Sequence, residues 1–306
     1  MKNMLLLYSP YSKASTFVIS GINLPNVEIY PLTLKQRKID KALFYLFHSI
    51  KLEKIAARFR YPKECIKKLS CEYNQILCFD CCRLSEYRII RALAKSDRIN
   101  VFFWNPINRW YGNSQKAKSS IEKLKKMRML LSTFDPEDAV EYALELKKNV
   151  NRKIVENQNC PVKYDFYFVG KPKGRVELLN TLRSFLISHG FRVHFIVVES
   201  PKDYISLIDN IKFSAESKCI VDITSSDQNG FTLRPFDALF LHKKLLTNNK
   251  RITKADFYNP NNIYVFDENN LDGICEFISK PYREIPKSIT DQYEINQWIV
   301  NNFCNS

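Results

Sequence analysis

Glycine is scarce, with 7 in 306 residues. That excludes a collagen-like or glycine-rich low-complexity chain. Neither a G-x-G-x-x-G dinucleotide fingerprint nor a G-x-x-x-x-G-K phosphate loop is present. Histidine is scarcer still: His48, His189, His194 and His242 show no H-x-x-x-H spacing, and no D-x-D pair occurs. Nothing in the sequence therefore marks a metal site. No apolar run approaches the roughly 18 uncharged residues of a membrane span. The run from Met4 to Tyr8 stops at Ser9-Pro10 and is too short for the core of a secretory signal. The expectation is a protein that is soluble or held only at a membrane surface.

What the chain does contain is enough apolar matter to fold. Hydrophobic residues are 45%, aromatics 13% and charged residues 26%, which excludes a disordered chain. The length suits one large domain or two of about 150 residues. The nine cysteines are odd in number and follow no repeated spacing, and most lie in apolar runs, as reduced core cysteines do. A reducing cytoplasm is the expected compartment. Cys78-Phe79-Asp80-Cys81-Cys82 contains C-x-x-C, but no second ligand pair or thioredoxin-like context accompanies it, so these are read as small buried residues.

The charge is distributed unevenly. The net charge is +15, and residues 1–155 hold 29 Lys/Arg against 14 Asp/Glu, whereas residues 156–306 hold 18 of each. Such asymmetry predicts two domains, one of which meets a polyanion or an anionic membrane. The densest basic segment, 35–68, holds 11 basic and 3 acidic residues. Within it Leu43, Leu46, Phe47, Ile50, Ile55 and Phe59 recur at near-helical spacing. A basic amphipathic stretch of this kind fits a membrane-surface helix and equally a surface helix packed on its own domain. A second basic run, Lys116 to Arg128, adds to the polyanion reading.

Strands and helices alternate along the chain. Predicted strands are Met4–Leu7, Ile76–Phe79, Val101–Trp104, Met129–Ser132, Tyr164–Val169, Val193–Val198, Cys219–Ile223, Lys244–Thr247 and Ile263–Phe266. Predicted helices are Ser85–Ala94, Gly174–His189, Ile205–Ile211, Leu233–Phe240 and Leu271–Ser279, with Asp135 capping another that starts at Pro136. The polar stretch 147–163 has no apolar period and is taken as the linker region. The expected domains are 1–155 and 156–290, followed by a helical tail over 291–306. Regular alternation implies α/β architecture: two doubly wound parallel sheets, a cleft between the domains, and ligands at the carboxyl ends of the strands.

Two loops carry candidate chemistry. In 165–182 a buried strand runs into Gly170, and Lys171-Pro172-Lys173-Gly174-Arg175 then opens a helix. Glycine lets the backbone approach a ligand, the helix start favours an anion, and the cations neutralise phosphate. An ordinary strand–turn–helix with exposed lysines has the same appearance. In 219–248 a buried strand ends at Asp222. Thr224-Ser225-Ser226-Asp227-Gln228-Asn229-Gly230 follows, and a helix begins near Thr232 with Arg234 and Asp237 in its first turns. Backbone amides there suit a diphosphate, and an early helical carboxylate suits sugar hydroxyls. Two such loops in one domain favour a ligand site over two ordinary turns.

These residues resemble the nucleotide-sugar-binding domain of glycosyltransferases of the GT-B class, which have two Rossmann-like domains facing across a cleft. The likeness lies in Gly170 to Arg175 and in Gly230-Phe231-Thr232-Leu233-Arg234-Pro235-Phe236-Asp237-Ala238, leading to Lys244-Leu245-Leu246-Thr247-Asn248. Phe257-Tyr258-Asn259-Pro260-Asn261-Asn262-Ile263 also fits. The pattern is closest to bacterial enzymes of lipopolysaccharide, O-antigen or capsule biosynthesis. It covers 164–267 well and 76–138 more weakly, and Tyr293–Phe303 matches the terminal helix that crosses back to the first domain in that class. Asp237 stands where many members have Glu, and Gln228 and Asn229 fall where the first Glu of a carboxylate pair would stand. The resemblance implies a nucleotide-sugar donor, a lipid-linked or oligosaccharide acceptor, and no cofactor or metal. Lys171, Lys173 and Arg175 would meet the diphosphate. Gly170, Thr224, Gly230, Thr232 and Arg234 would line the phosphates or sugar, and Asp237 would bind ribose or sugar hydroxyls.

An inverting reaction needs a base at the acceptor hydroxyl. Asp80, ending a buried strand, is the first candidate and Asp135 the second; a helix cap or loop contact is the other role open to each. The basic first domain fits an acceptor held at an anionic membrane through 35–68, on the inner face of the cell membrane. Net charge and aromatic content also permit nucleic-acid binding, but the basic residues are not interleaved with a reader motif. An inactive glycosyltransferase-like scaffold is the third alternative.

Overall fold

The structure is a computed structural model that describes residues 3–81, 83–154, 160–224 and 230–304. It divides into two units, Met1–Asn149 and Val150–Ser306.

In the first unit the strands are β1 (Met4–Tyr8), β2 (Val27–Pro31), β3 (Gln75–Phe79), β4 (Ile99–Phe103), β5 (Leu130–Thr133) and β6 (Glu145–Leu146). They form one parallel sheet in the order β2-β1-β3-β4-β5-β6. The helices are α1 (Lys13–Ile19), α2 (Lys38–Ser49), α3 (Glu53–Arg60), α4 (Lys63–Leu69), α5 (Leu84–Leu93), α6 (Ile107–Tyr111), α7 (Ser114–Lys126) and α8 (Pro136–Glu141). β3 and β4 are buried at every position, so they read as continuous apolar runs rather than alternating ones. Leu5, Leu7, Ile76, Cys78, Val101, Phe103 and Leu131 belong to one core. Their spacing of two along each strand places them on one face.

In the second unit β7 (Tyr164–Gly170), β8 (Val193–Val197), β9 (Ser217–Asp222), β10 (Lys244–Thr247) and β11 (Ile263–Val265) form a parallel sheet in the order β11-β10-β9-β7-β8. The helices are α9 (Val176–Ser188), α10 (Leu207–Ala215), α11 (Arg234–Phe240), α12 (Gly273–Ser279), α13 (Lys287–Thr290) and α14 (Ile295–Ile299). Cys219, Val221 and Ile223 pack with α9 and α12, whereas Ile220 packs with α11 in a second core. Alternate residues of one strand thus feed two cores, as a sheet covered on both faces requires.

The α/β reading holds, and the two sheets share one winding. In each, the second strand lies outside the first, and the third, fourth and fifth run the other way. Strand order reverses between β1 and β3 in the first sheet and between β7 and β9 in the second. Such switch points leave a crevice at the strand carboxyl ends, where ligands sit.

Three local expectations are corrected. Segment 35–68 is not one amphipathic stretch but α2, α3 and α4, broken where Lys51 takes a left-handed φ of 61° and again at Tyr61-Pro62. In α2 the buried residue is Phe44, while Leu46 and Ile50 are 55% and 56% exposed. β2, absent from the expected strands, is an edge strand paired on one side only and ends on a proline, which an edge tolerates. The expected helix Tyr293–Phe303 is instead a short 3₁₀ turn, α14 and a π turn over Val300–Cys304. Cys82, within the C-x-x-C run, lies outside the described residues, and no disulfide joins two of the described cysteines. Among the described residues no helix is long and apolar enough to cross a membrane.

Candidate functional site

The second switch point is built around one aromatic ring. Phe168, on β7, is fully buried. The guanidinium of Arg175 lies 5.2 Å from its ring centroid and that of Arg234 lies 5.0 Å from it. The two cationic loops of the sequence therefore converge. Arg175 arrives from the loop after β7, and Arg234 from the first turn of α11. A cation is attracted to the negative face of an aromatic ring, which partly offsets the repulsion of two like charges.

Gly170 makes the space for this. A Cβ on Gly170 would lie 2.7 Å from Arg234 Nη2 and 2.8 Å from Arg175 Nη2. The next turn is tight: Lys173 and Gly174 take φ values of 44° and 73°, left-handed in succession. Lys171 and Lys173 are exposed on it, and Lys171 Nζ lies 5.7 Å from the Tyr204 ring.

Both guanidiniums bind strand ends. Arg175 donates from Nη1 to Ile223 O, and from Nε and Nη2 to Lys171 O at 3.3 and 3.1 Å. It is 8% exposed, and its partners are neutral carbonyls. Burial, with Arg234 beside it, lowers its pKa to about 10. Arg234 donates from Nη2 to Val169 O at 2.5 Å and from Nη1 to Asp222 Oδ1 at 3.0 Å. Asp222 is 0% exposed, and its Oδ1 also accepts from Thr232 Oγ1 at 2.9 Å. Asp222 Oδ2 has no hydrogen-bond partner among the described residues. One buried carboxylate therefore faces two guanidiniums, and the balance of the switch point is positive. Arg234 Nε, with one N–H each on Nη1 and Nη2, is not committed to a described residue and remains able to meet an anion.

The other expected residues lie around this centre. Thr224 donates from N and Oγ1 to Asn248 Oδ1 at 2.9 and 3.2 Å, tying the loop after β9 to the end of β10. Gly230 is buried at the end of that loop; Ser225 to Asn229, including Gln228 and Asn229, lie outside the described residues. Asp237 accepts from Asn151 Nδ2 at 2.8 Å. Burial pushes its carboxyl up to about 7, against the pull of Asn151 and Arg234. Its Oδ2 accepts from no described residue.

Sequence reasoning missed Phe168, Asp222 and Asn151 as site residues. Asp222 was visible as the last residue of a buried strand. Asn151 fell in a stretch taken as linker, yet it is 1% exposed and donates its backbone N–H to Tyr293 O.

The two candidate bases lie in the first unit. Asp80 follows β3, at the first switch point, with φ 46°. It is 4% exposed. Its Oδ1 accepts from Trp110 Nε1 at 2.9 Å and Trp104 N at 3.3 Å, and its Oδ2 from Asn105 Nδ2 at 2.5 Å. These bonds hold the β4–α6 loop. All three donors are neutral, so burial prevails and raises its pKa to about 7. Asp135 caps α8, accepting from Glu137 N at 2.9 Å and Asp138 N at 3.5 Å. Asp138 accepts from Ile107 N at 2.8 Å, and burial raises its pKa to about 6.

No family model and no curated protein matches the chain. Among solved structures it is similar to the spinosyn rhamnosyltransferase SpnG, at 9% identity over 99% of this chain and 100% of that one, with a TM-score of 0.48. It is also similar to the spinosyn forosaminyltransferase SpnP, at 10% identity over 92% and 91%, with a TM-score of 0.40. A third is the UDP-GlcNAc 2-epimerase from Methanocaldococcus jannaschii, at 10% identity over 100% of both chains, with a TM-score of 0.48. At such distances function rests on this chain's own side chains.

Two outcomes are expected. A raised acid makes the native state hold a proton that the unfolded chain gives up, so its contribution to stability declines as pH rises from 3.8 toward about 7. Asp80→Asn removes that share: urea unfolding should vary less with pH across this window than in the parent, and an unchanged profile would refute the assignment. Gly170→Ala should displace both guanidiniums and lower stability by about 1–3 kcal/mol, as overpacking does. A Gly170→Ala crystal structure with both arginines still on Phe168 would contradict this.

Proposed function

We propose that the chain is a glycosyltransferase that moves a sugar from a nucleotide-sugar donor, with the diphosphate held at the second switch point. The observation that carries this reading is the meeting of Arg175 and Arg234 on Phe168, beside Gly170, where the electrostatic balance is positive. Glycosyl transfer breaks the bond between the anomeric carbon and the diphosphate oxygen, and negative charge grows on the leaving group. Fixed cations and backbone amides stabilise that charge without a bound metal. In this reading Lys171, Lys173 and the uncommitted N–H groups of Arg234 meet the phosphates. Arg175, already committed to two carbonyls, sets the position of the loop. Thr224, Gly230 and Thr232 shape the second loop, and Asp237 Oδ2 accepts from a ribose or donor-sugar hydroxyl. Asp80 and Asp135 are the candidate acceptor bases of this reading; each also has a scaffold role, Asp80 holding the β4–α6 loop and Asp135 capping α8.

The acceptor in this proposal is a bacterial surface-glycan precursor on a lipid carrier, of the lipopolysaccharide, O-antigen or capsule kind. Support comes from the α2–α3 surface. Ile39, Leu46 and Ile50 are exposed apolar residues of one helical face, and Leu52 and Ile55 are exposed further along the segment. Lys38, Lys41, Lys51 and Arg58 are exposed on the same segment. Exposed apolar side chains on a segment rich in exposed cations match an anionic bilayer surface, with apolar area entering the acyl boundary and cations meeting headgroups.

In a thermal-shift panel, nucleoside diphosphates should raise the melting temperature of the parent protein. Lys171→Ala with Lys173→Ala should weaken that binding by about 1–3 kcal/mol, the scale of charge-assisted phosphate contacts. No stabilisation by any nucleoside diphosphate would overturn the donor site. In flotation assays, Leu46→Asp with Ile50→Asp should release the protein from phosphatidylglycerol vesicles while leaving nucleotide affinity intact. Undiminished flotation would remove the membrane role from this surface.

A further inference from the structure

The first unit contains a cavity of about 530 Å³ that neither the donor reading nor the membrane reading uses. It lies beside the strand carboxyl ends, between the start of α5 and one face of α7. Arg83, at the cap of α5, and Ser85 in its first turn line it, with Lys116, Ser119 and Lys123 from α7 and Trp110 from α6. Lys116, Ser119 and Lys123 are spaced by three and four residues, which places them on a single face of α7.

Its chemistry is one-sided. No acidic residue is among the lining residues, and among the described residues none of the three cations has a carboxylate within salt-bridge distance. The nearest acidic residue on α5, Glu86, is turned inward: it pairs with Arg60 and accepts from Arg83 N at 3.0 Å. The three positive charges therefore face the cavity with hydroxyl donors between them. A cleft lined by charge of one sign, with low-dielectric walls, concentrates ions of the opposite sign.

The cavity also has a built wall. Trp110 Nε1 donates to the buried Asp80 at 2.9 Å, which fixes the indole in place. The volume falls within the range of small-molecule pockets and is several times what a bare phosphate fills. We infer that this cavity binds an organic phosphate ester, with the phosphate between Lys116, Lys123 and Arg83 and the organic part against Trp110. Such an ester is either a soluble metabolite or a lipid headgroup. The inference does not rest on the donor site, since it concerns a different unit and different residues.

Trp110 reports on this cavity selectively, because Trp104 and Trp298, the other two tryptophans, are buried. Phenyl phosphate, titrated into the full chain, should quench tryptophan fluorescence saturably, and phenol should not. Lys116→Ala with Lys123→Ala, both exposed on a helix, should weaken phenyl phosphate binding at least tenfold while leaving the circular dichroism spectrum and nucleoside diphosphate binding unchanged. Lys123→Glu alone should do the same by charge reversal. Equal quenching by phenol, or parental affinity in both variants, would overturn the site. Competition assigns the source: displacement of phenyl phosphate by phosphatidic acid vesicles supports a lipid headgroup, and displacement only by soluble sugar phosphates supports a metabolite. Loss of nucleoside diphosphate binding with phenyl phosphate binding retained would sink the donor reading and leave this one standing.

Discussion

The second unit is organised by two guanidiniums on one buried ring. Arg175 and Arg234 share Phe168 because Gly170 has no side chain to occupy their place. Each then ties separate strand ends together: Arg175 joins the loop after β7 to Ile223, and Arg234 joins Val169 to Asp222. Two cations at low exposure repel each other and lose hydration. They persist there because carbonyl oxygens, an aromatic face and one fully buried carboxylate surround them. The arrangement retains positive character that the fold itself does not neutralise, at the crevice where a doubly wound sheet binds its ligand.

Much of this was legible in the chain. β10 was expected over its actual residues, and β1, β3, β7 and β11 to within a residue or so, because buried parallel strands are continuous apolar runs bounded by polar turns. Asp135 before Pro136 announced a helix start, and both residues serve as expected. The convergence of the Gly170–Arg175 and Thr232–Asp237 loops followed from topology once both were placed at strand ends. What stayed hidden has common causes. Phe168 and Asn151 act through distant partners that no local spacing reports. β2 is a short edge strand. Within 35–68, apolar residues at 46 and 50 fit a face packed on the domain and a membrane-surface face equally, and only three-dimensional packing shows that Phe44 is the buried residue of α2 and that they are exposed.

The charge asymmetry also takes on a definite shape. The excess cations of the first half are not a uniform coat. One group lies on the segment that carries the exposed apolar residues of α2 and α3, and another lines the cavity between α5 and α7. These environments favour different partners. Exposed lysines on a segment with exposed apolar side chains favour an extended surface. Lysines facing a cavity beside an indole favour a discrete anion with an organic body. A single net charge of +15 conceals this division.

The two switch points present the same position in opposite electrostatic settings. Each sheet's third strand leads into a buried aspartate at its carboxyl end: Asp80 follows β3 and Asp222 closes β9. Around Asp80 every donor is neutral, an indole, an amide and a backbone N–H, and the carboxyl is pushed up to about 7. Around Asp222 the partners are a guanidinium and a hydroxyl, with a second guanidinium close by. A carboxyl held by neutral groups can keep its proton and still order a loop. A carboxylate held by guanidiniums fixes cations in place and offsets only part of their charge. Identical winding thus carries two unlike sites, because the residues that follow the strands, rather than the strands themselves, decide which charge faces the crevice.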